Sequence, residues 1–300
     1  MTEVVLTDPR GGPAHFGERV RGWVALTKPR IIELLLITTV PAMVLAADGW
    51  PGTWLLAATL IGGTLSAGGA NAINNYVDRD IDAHMRRTRH RPLPAHRVGP
   101  RDALVVGSVL GAAGFAFLAV FVNLAAAALA TGALAFYVAV YSLYLKRRTS
   151  QNIVIGGAAG AVPVLVGWAA VTGEVGLPAW VLFAIVFYWT PPHFWALAIR
   201  FEDDYRRAGV PMLPVVSGAE ATANQIVTYA VALTGVSLLL HPVAGLGWIY
   251  VAAAAVLGGG FVLEAVRLRT DRRRAMQVFQ LSNVYLTLLF AALALDVFVL

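Results

Sequence analysis

The chain has 300 residues, 58% of them hydrophobic and 13% charged, with a mean hydropathy of +0.69. A soluble domain is about a quarter charged, so this composition excludes an ordinary soluble domain and points to a polytopic membrane protein. There is no cysteine, which excludes disulfides, thiolate metal sites and a cysteine nucleophile.

The first 30 residues contain Glu3, Asp8 and Glu18 and lack an apolar core. They resemble neither a signal peptide nor an acid-poor transit peptide. Residues 1–23 are expected to form a cytoplasmic tail, and 24–300 the membrane domain. A spanning helix needs about 20 mainly apolar residues. Nine such stretches are predicted: 31–47, 54–73, 103–122, 125–145, 153–172, 178–199, 221–240, 247–265 and 278–299.

The links between them alternate between short, nearly uncharged turns and charged loops. All 23 Lys and Arg fall in the tail, 78–101, 146–148, 200–207 and 267–274. That is the positive-inside pattern, so these loops are expected to be cytoplasmic and Leu300 to lie on the far side. It also accounts for the net charge of +6 without nucleic acid. A bacterial plasma membrane is the expected location.

The first span is entered by Glu33, which either snorkels to the interface or faces the bundle. After the second comes "NNYVDRDIDAHMRRTRHRPLP" (74–94). Asn74, Asp78 and Asp82 are spaced by four, which puts them on one helix face, with Asn75 beside them. Crowded carboxylates need a cation, and Mg2+ suits oxygen ligands shared with substrate phosphates. Arg86, Arg89 and Arg91 then stand ready for phosphate oxygens. Topology alone explains arginines in this loop but not aspartates at this spacing.

The fourth stretch ends in Tyr141, Tyr144, Lys146 and Arg147. These are diphosphate ligands or interfacial anchors; Arg148 reads as topology alone. In the sixth, Pro191 and Pro192 predict a kink just before His193, a candidate for a bound acceptor. The next loop repeats the first one's plan: Glu202, Asp203 and Asp204, then Arg206-Arg207, then "PMLP". Two four-helix halves plus a ninth helix are expected, each acidic loop following the second helix of its half. The "RRR" at 272–274 reads as topology, and His241 as a turn residue. His15, His84, His90 and His96 have no metal-ligand spacing. The glycine runs "GGTLSAGGA" and "GGAAGA" predict close helix packing.

"NNYVDRDID" resembles the first Asp-rich motif of the UbiA-type intramembrane prenyltransferases, and "RTRHRPLP" the segment that follows it. "KRRTSQNIVIGGAAGAVPVLVGW" (146–168), "WTPPHFWALAI" (189–199) and "DYRRAGVPMLPVV" (204–216) are similar to the haem-farnesylating branch of that family. The resemblance covers about residues 24–300. It implies nine transmembrane helices around a central cavity, open sideways to the lipid bilayer. It implies a Mg2+-dependent transfer of farnesyl from farnesyl diphosphate to a vinyl group of haem B, giving haem O. A haem A synthase is the candidate partner.

The resemblance carries the metal–diphosphate positions onto Asn74, Asn75, Asp78, Asp82 and Asp204, with Asp78, Asp82 and Asp204 as the catalytic carboxylates. It also favours a place near the haem for His193, while Lys146, Arg147 and Tyr141 join the diphosphate set on their position beside the Asp loops. Asn75 stands where the superfamily usually has Asp, and Arg200 stands four before Asp204 in place of a second Asp. The haem branch shares both features.

Two rival functions remain open at this level. A relative could prenylate another aromatic or tetrapyrrole acceptor, and "PPHFWALAI" argues against it. A repeat-built transporter would place its ionisable residues near the bilayer midplane, whereas these cluster at one rim.

Overall fold

The computed structural model describes residues 16–299, apart from the side chains of residues 16, 18, 19 and 30–36. The side chain of Glu33, the tail before residue 16 and Leu300 therefore lie outside the described parts. Every regular element among the described residues is helical. The first half runs α1 (Phe16–Leu26), α2 (Pro29–Ala47), α3 (Thr53–Val77), α4 (Arg79–His84), α5 (Pro100–Phe121), α6 (Leu124–Ala135) and α7 (Asn152–Thr172). The second runs α8 (Leu177–Arg200), α9 (Glu202–Arg207), α10 (Leu213–Ala244), α11 (Trp248–Leu268) and α12 (Ala275–Val299).

Eight of these are long and apolar enough to cross a membrane: α3, α5, α6 with its continuation to Arg147, α7, α8, α10, α11 and α12. The protein is a multi-pass membrane protein. Helix α2, which holds the first expected stretch, has 19 residues, of which Ile37–Ala47 is a described apolar run. Prolines stand in the first turns of α2, α5, α8 and α10, where a missing N–H costs nothing.

Between lipid-embedded helices attraction comes from close contact, so small residues decide who packs with whom. Helices α3 and α5 illustrate this. A methyl group on Gly69 would sit 2.7 Å from both the Gly107 carbonyl oxygen and the Gly111 nitrogen, and one on Gly114 would sit 2.7 Å from the Ser66 nitrogen. Gly69→Ala should therefore cost about 1–3 kcal/mol, whereas a methyl on Gly63 meets nothing within 4 Å. Thermal unfolding in detergent checks this: the midpoint of Gly69→Ala should fall and that of Gly63→Ala should hold.

Helices α3, α5, α6 and α7 pack in succession, and α6 and α7 both touch α3. Helices α8, α10, α11 and α12 do the same, with α12 returning to α8. The two cycles meet along α7 and α8, and α2 lies across α7, α12 and α3. The two acidic loops follow α3 and α8, one helix from each cycle.

Helix α8 runs as one element through Pro191 and Pro192, both buried, held between α7, α10 and α12. Helix α10 is interrupted at Gly218 with φ +81°, a conformation glycine adopts readily. Helix α6 passes into a π-helical segment, Phe136–Ser142, where the Leu143 N–H reaches back five residues to the Val138 carbonyl at 3.1 Å.

A lateral apolar cleft of about 380 Å3 lies between α2 and α12, lined by Ile37, Val40, Pro41, Thr287 and Ala291. At the charged end a second cleft, of about 230 Å3, is lined by Asp80, Ile81, His84, Arg147 and Ala208–Val210.

Candidate functional site

The site is built where α3 meets α4. Asp78 joins the two helices: its N–H bonds to the Asn74 carbonyl at 2.9 Å, and the Asp82 N–H bonds to the Asp78 carbonyl at 2.8 Å. The four-residue repeat thus continues through the joint. Asn74, Asp78 and Asp82 share a face, and their exposures are 2%, 0% and 2%. Buried carboxylates demand compensation. Lys146 Nζ lies 2.5 Å from Asp78 Oδ2, and Arg91 Nη1 lies 2.7 Å from Asp82 Oδ2.

Asn74 is the hub of this cluster. Its Oδ1 accepts from Lys28 Nζ at 2.6 Å, and its Nδ2 donates to Asp78 Oδ2 at 2.8 Å and to Ser142 Oγ at 2.9 Å. Ser142 in turn donates to the Tyr137 carbonyl at 2.9 Å inside the π-helical segment. Lys28 sits at the α1–α2 turn with φ +52°. Burial pushes its ammonium down to about 7, aided by Arg91 and Lys146 and opposed by Asp78 and Asp82.

The second acidic loop reaches the first through Arg87. Its backbone N–H donates to Asp204 Oδ2 at 3.2 Å, and its Nη2 donates to the Tyr205 hydroxyl at 3.2 Å. Arg207 closes on the other oxygen of Asp204. Two ion pairs brace the surroundings: Arg272 with Glu202, and Arg274 with Glu264 at 2.7 Å. The arginines read as topology alone therefore also hold these loops together.

Several expected ligands stand elsewhere. Asn75 donates to the Leu26 carbonyl at 2.9 Å and the Asn71 carbonyl at 3.0 Å, joining α3 to α1. Arg86 and Arg89 are exposed and pair with no carboxylate among the described residues. Arg147, expected as a diphosphate ligand, is bidentate to Asp80 at 2.7 Å. That hydrogen-bonded pair holds the Asp80 carboxyl down to about 2. Tyr141 stacks on Tyr137 at 5.4 Å, and its ring fills the space over Gly156.

Sequence reasoning passed over Lys28, Arg87 and Ser142 as site residues. Lys28 was counted among the tail's topological charges; its one distinguishing mark is that it directly precedes the proline that opens α2. Ser142 is a lone hydroxyl between Tyr141 and Leu143 in an apolar span.

The fit of a metal ion turns on one atom. Asp78 Oδ1 is buried and has no hydrogen-bond partner among the described residues, a costly state for a carboxylate oxygen unless a cation meets it. No three acidic or histidine side chains converge on one point among the described residues. Asp204, expected as a ligand, has both oxygens engaged by Arg87 and Arg207. The first motif therefore fits a Mg2+ ion that takes most of its shell from a substrate's phosphates.

His193 lies on α8 and is buried. Its ring stacks between Trp189 at 4.3 Å and Phe279 at 4.4 Å.

The chain is 54% identical over 294 residues to a protohaem IX farnesyltransferase of Parafrankia, covering 96% of this chain and 94% of that one. It is 52% identical to one of Gloeobacter violaceus, covering 99% and 98%. Its fold is similar to that of a digeranylgeranylglyceryl phosphate synthase, with a TM-score of 0.78 at 17% identity over 94% of this chain and 100% of that one. It is also similar to a UbiA homologue of Archaeoglobus fulgidus bound to GPP and Mg2+, with a TM-score of 0.63 at 16% identity over 91% and 99%. Residues 35–293 match the UbiA prenyltransferase family. With most of its length matched and an acid–amide–cation cluster at one end of an all-helical membrane bundle, the chain belongs to the UbiA prenyltransferase family.

Proposed function

We infer that the protein transfers a farnesyl group from farnesyl diphosphate to a vinyl group of haem B, giving haem O and diphosphate. The observation that carries this is identity of 52–55% with relatives named protohaem IX farnesyltransferase, over nearly the whole of both chains. The allylic C–O bond breaks with its electron pair on the diphosphate. The vinyl π electrons form the new C–C bond to farnesyl C1. Water adds to the carbon left positive next to the porphyrin and gives up a proton, completing a hydroxyethylfarnesyl group.

Asp78 and Asp82 would hold Mg2+, which when bound neutralises charge on the leaving diphosphate. Arg91, Lys146 and Lys28, close to the same carboxylates, would take phosphate oxygens. Arg86 and Arg89, exposed on the loop, would meet the diphosphate on its way in. Arg87 and Asp204 position the second loop over the first. The apolar interior keeps stray water from the farnesyl cation. His193 serves the haem, deeper along α8. The charged loops are cytoplasmic, in a bacterial plasma membrane, with α2 as the ninth span. The product is the substrate type of a haem A synthase, the partner class that fits.

The test is expression in a host that lacks haem O, with extracted haems weighed by mass spectrometry. A haem heavier by the hydroxyethylfarnesyl modification is expected. Unmodified haem B alone, with the protein present in the membrane, overturns the reading. His193→Ala should weaken haem binding by tenfold or more, about 1.4 kcal/mol, and leave farnesyl diphosphate affinity unchanged. The reverse pattern would move His193 to the other substrate.

A further inference from the structure

The partner of one imidazole nitrogen decides what the other can do. His193 Nδ1 lies 2.8 Å from Ser282 Oγ. A serine hydroxyl carries a single proton. Ser282 Oγ also lies 2.7 Å from the Phe279 carbonyl oxygen, a turn earlier on α12. A carbonyl only accepts, so the Ser282 proton is directed to Phe279. Toward His193 the serine oxygen then only accepts, and Nδ1 must carry the ring proton. Nε2 keeps its lone pair, and among the described residues nothing hydrogen-bonds to it.

The ring is also held in orientation. Trp189 and Phe279 cover its two faces, and Phe194 meets it edge-on at 5.0 Å. Trp189 Nε1 donates to the Ser282 carbonyl at 2.7 Å. Ser282, itself fully buried, thus anchors both the imidazole and the indole stacked on it.

We propose that Ser282 is a positioning residue for the acceptor: it fixes His193 as the Nδ1–H imidazole and so presents the Nε2 lone pair to the iron of the haem substrate. The proposal rests on the reading that His193 serves the haem, and it narrows that reading. A neutral imidazole in this tautomer has no proton at Nε2 to offer a propionate, whereas it can ligate iron. The hydrogen-bond chain thus separates iron from propionate as the group that His193 meets.

The experiment titrates the purified full-length protein with ferric haem B and, in parallel, with iron-free protoporphyrin IX, following the Soret band and the low-temperature EPR spectrum. Three proteins are compared: wild type, His193→Ala and Ser282→Ala. Wild type should show a nitrogen-ligated iron spectrum, and His193→Ala should lose it. Ser282→Ala should bind haem B about tenfold to a hundredfold more weakly, as expected when the partner that orients a metal-ligating histidine is removed. Its iron spectrum should change, while its affinity for iron-free protoporphyrin stays at the wild-type value. If Ser282→Ala keeps wild-type haem affinity and spectrum while His193→Ala loses both, the proposal falls and the role of His193 stands. If His193→Ala itself binds haem as wild type does, the reading beneath the proposal falls with it. Equal losses toward haem and iron-free porphyrin in Ser282→Ala would mean that Ser282 supports packing only, and would also overturn the proposal.

Discussion

Asp78→Asn should lower haem O formation about a thousandfold, the effect of removing roughly 4 kcal/mol of transition-state stabilisation. The reason lies in the cluster. Asp78 is fully buried, one oxygen shared by Lys146 and Asn74 and the other without a partner among the described residues. Asparagine keeps the shape but removes the charge that would attract both a Mg2+ ion and the cations around it. A second effect must be separated from this one. Removing one partner of a buried ion pair destabilises by about 3–5 kcal/mol, because the other charge is stranded. Lys146→Met in the Asp78→Asn background removes the stranded ammonium. The double variant should recover much of the lost thermal midpoint and none of the activity. Recovery of turnover along with stability would mean that Asp78 serves the fold alone. Wild type should stop in EDTA and resume with Mg2+; full turnover in EDTA would remove the metal from the reaction.

The next largest effect is expected at Asp204. Asp204→Asn should lose about a hundredfold in turnover, some 2.7 kcal/mol, while Asp271→Asn should stay within about twofold of wild type, or 0.4 kcal/mol. Both residues lie in acidic-and-basic loops, so charge alone does not distinguish them. Their surroundings do. Asp204 is 5% exposed and accepts the Arg87 N–H, which joins the loop after α8 to the loop after α4. Losing its charge loosens Arg207 and that junction together. Asp271 is half exposed and accepts the Arg273 N–H at 3.0 Å as a local cap, a task that asparagine also performs. Steady-state rates of the two variants, measured side by side with farnesyl diphosphate and haem B, decide the matter. Equal losses would show that the junction through Arg87 has no special role.

Much of this was legible in the sequence where a local repeat governs the structure. Asn74, Asp78 and Asp82 share a face because the helical bonding continues through Asp78, and a spacing of four is all that needs. Long apolar runs marked all eight of these spans but not all of their ends, since α10 begins eight residues before the predicted 221. Contacts across long stretches of chain were not legible. Lys28 meets Asn74 from 46 residues away, and Arg87 meets Asp204 from 117. Four arginines stand between residues 86 and 91, and which of them turns inward is set by the turns after Met85. Arg91 and Arg87 turn in, while Arg86 and Arg89 face out. Lys146 and Arg147 adjoin in sequence and so read as one diphosphate-binding pair. In the short 3-10 turn Leu145–Arg147, neighbouring side chains diverge, and each takes its own aspartate.

The π-helical turn at Phe136–Ser142 makes residue count a more sensitive variable than residue identity in that span. A π turn holds about one residue more than an α turn, and an α-helix rotates about 100° per residue. The same residues wound as regular α-helix would therefore carry everything after them around the axis by about that angle. Ser142 would leave Asn74, and Lys146 would leave Asp78, although every side chain in both pairs would still be present. A chimera that grafts a regular helix of the same apolar character into this place would insert into the bilayer normally and yet lose the register of the cluster. In comparisons between distant relatives, a one-residue gap in this span would therefore mark a regular helix that keeps the same register without the π turn.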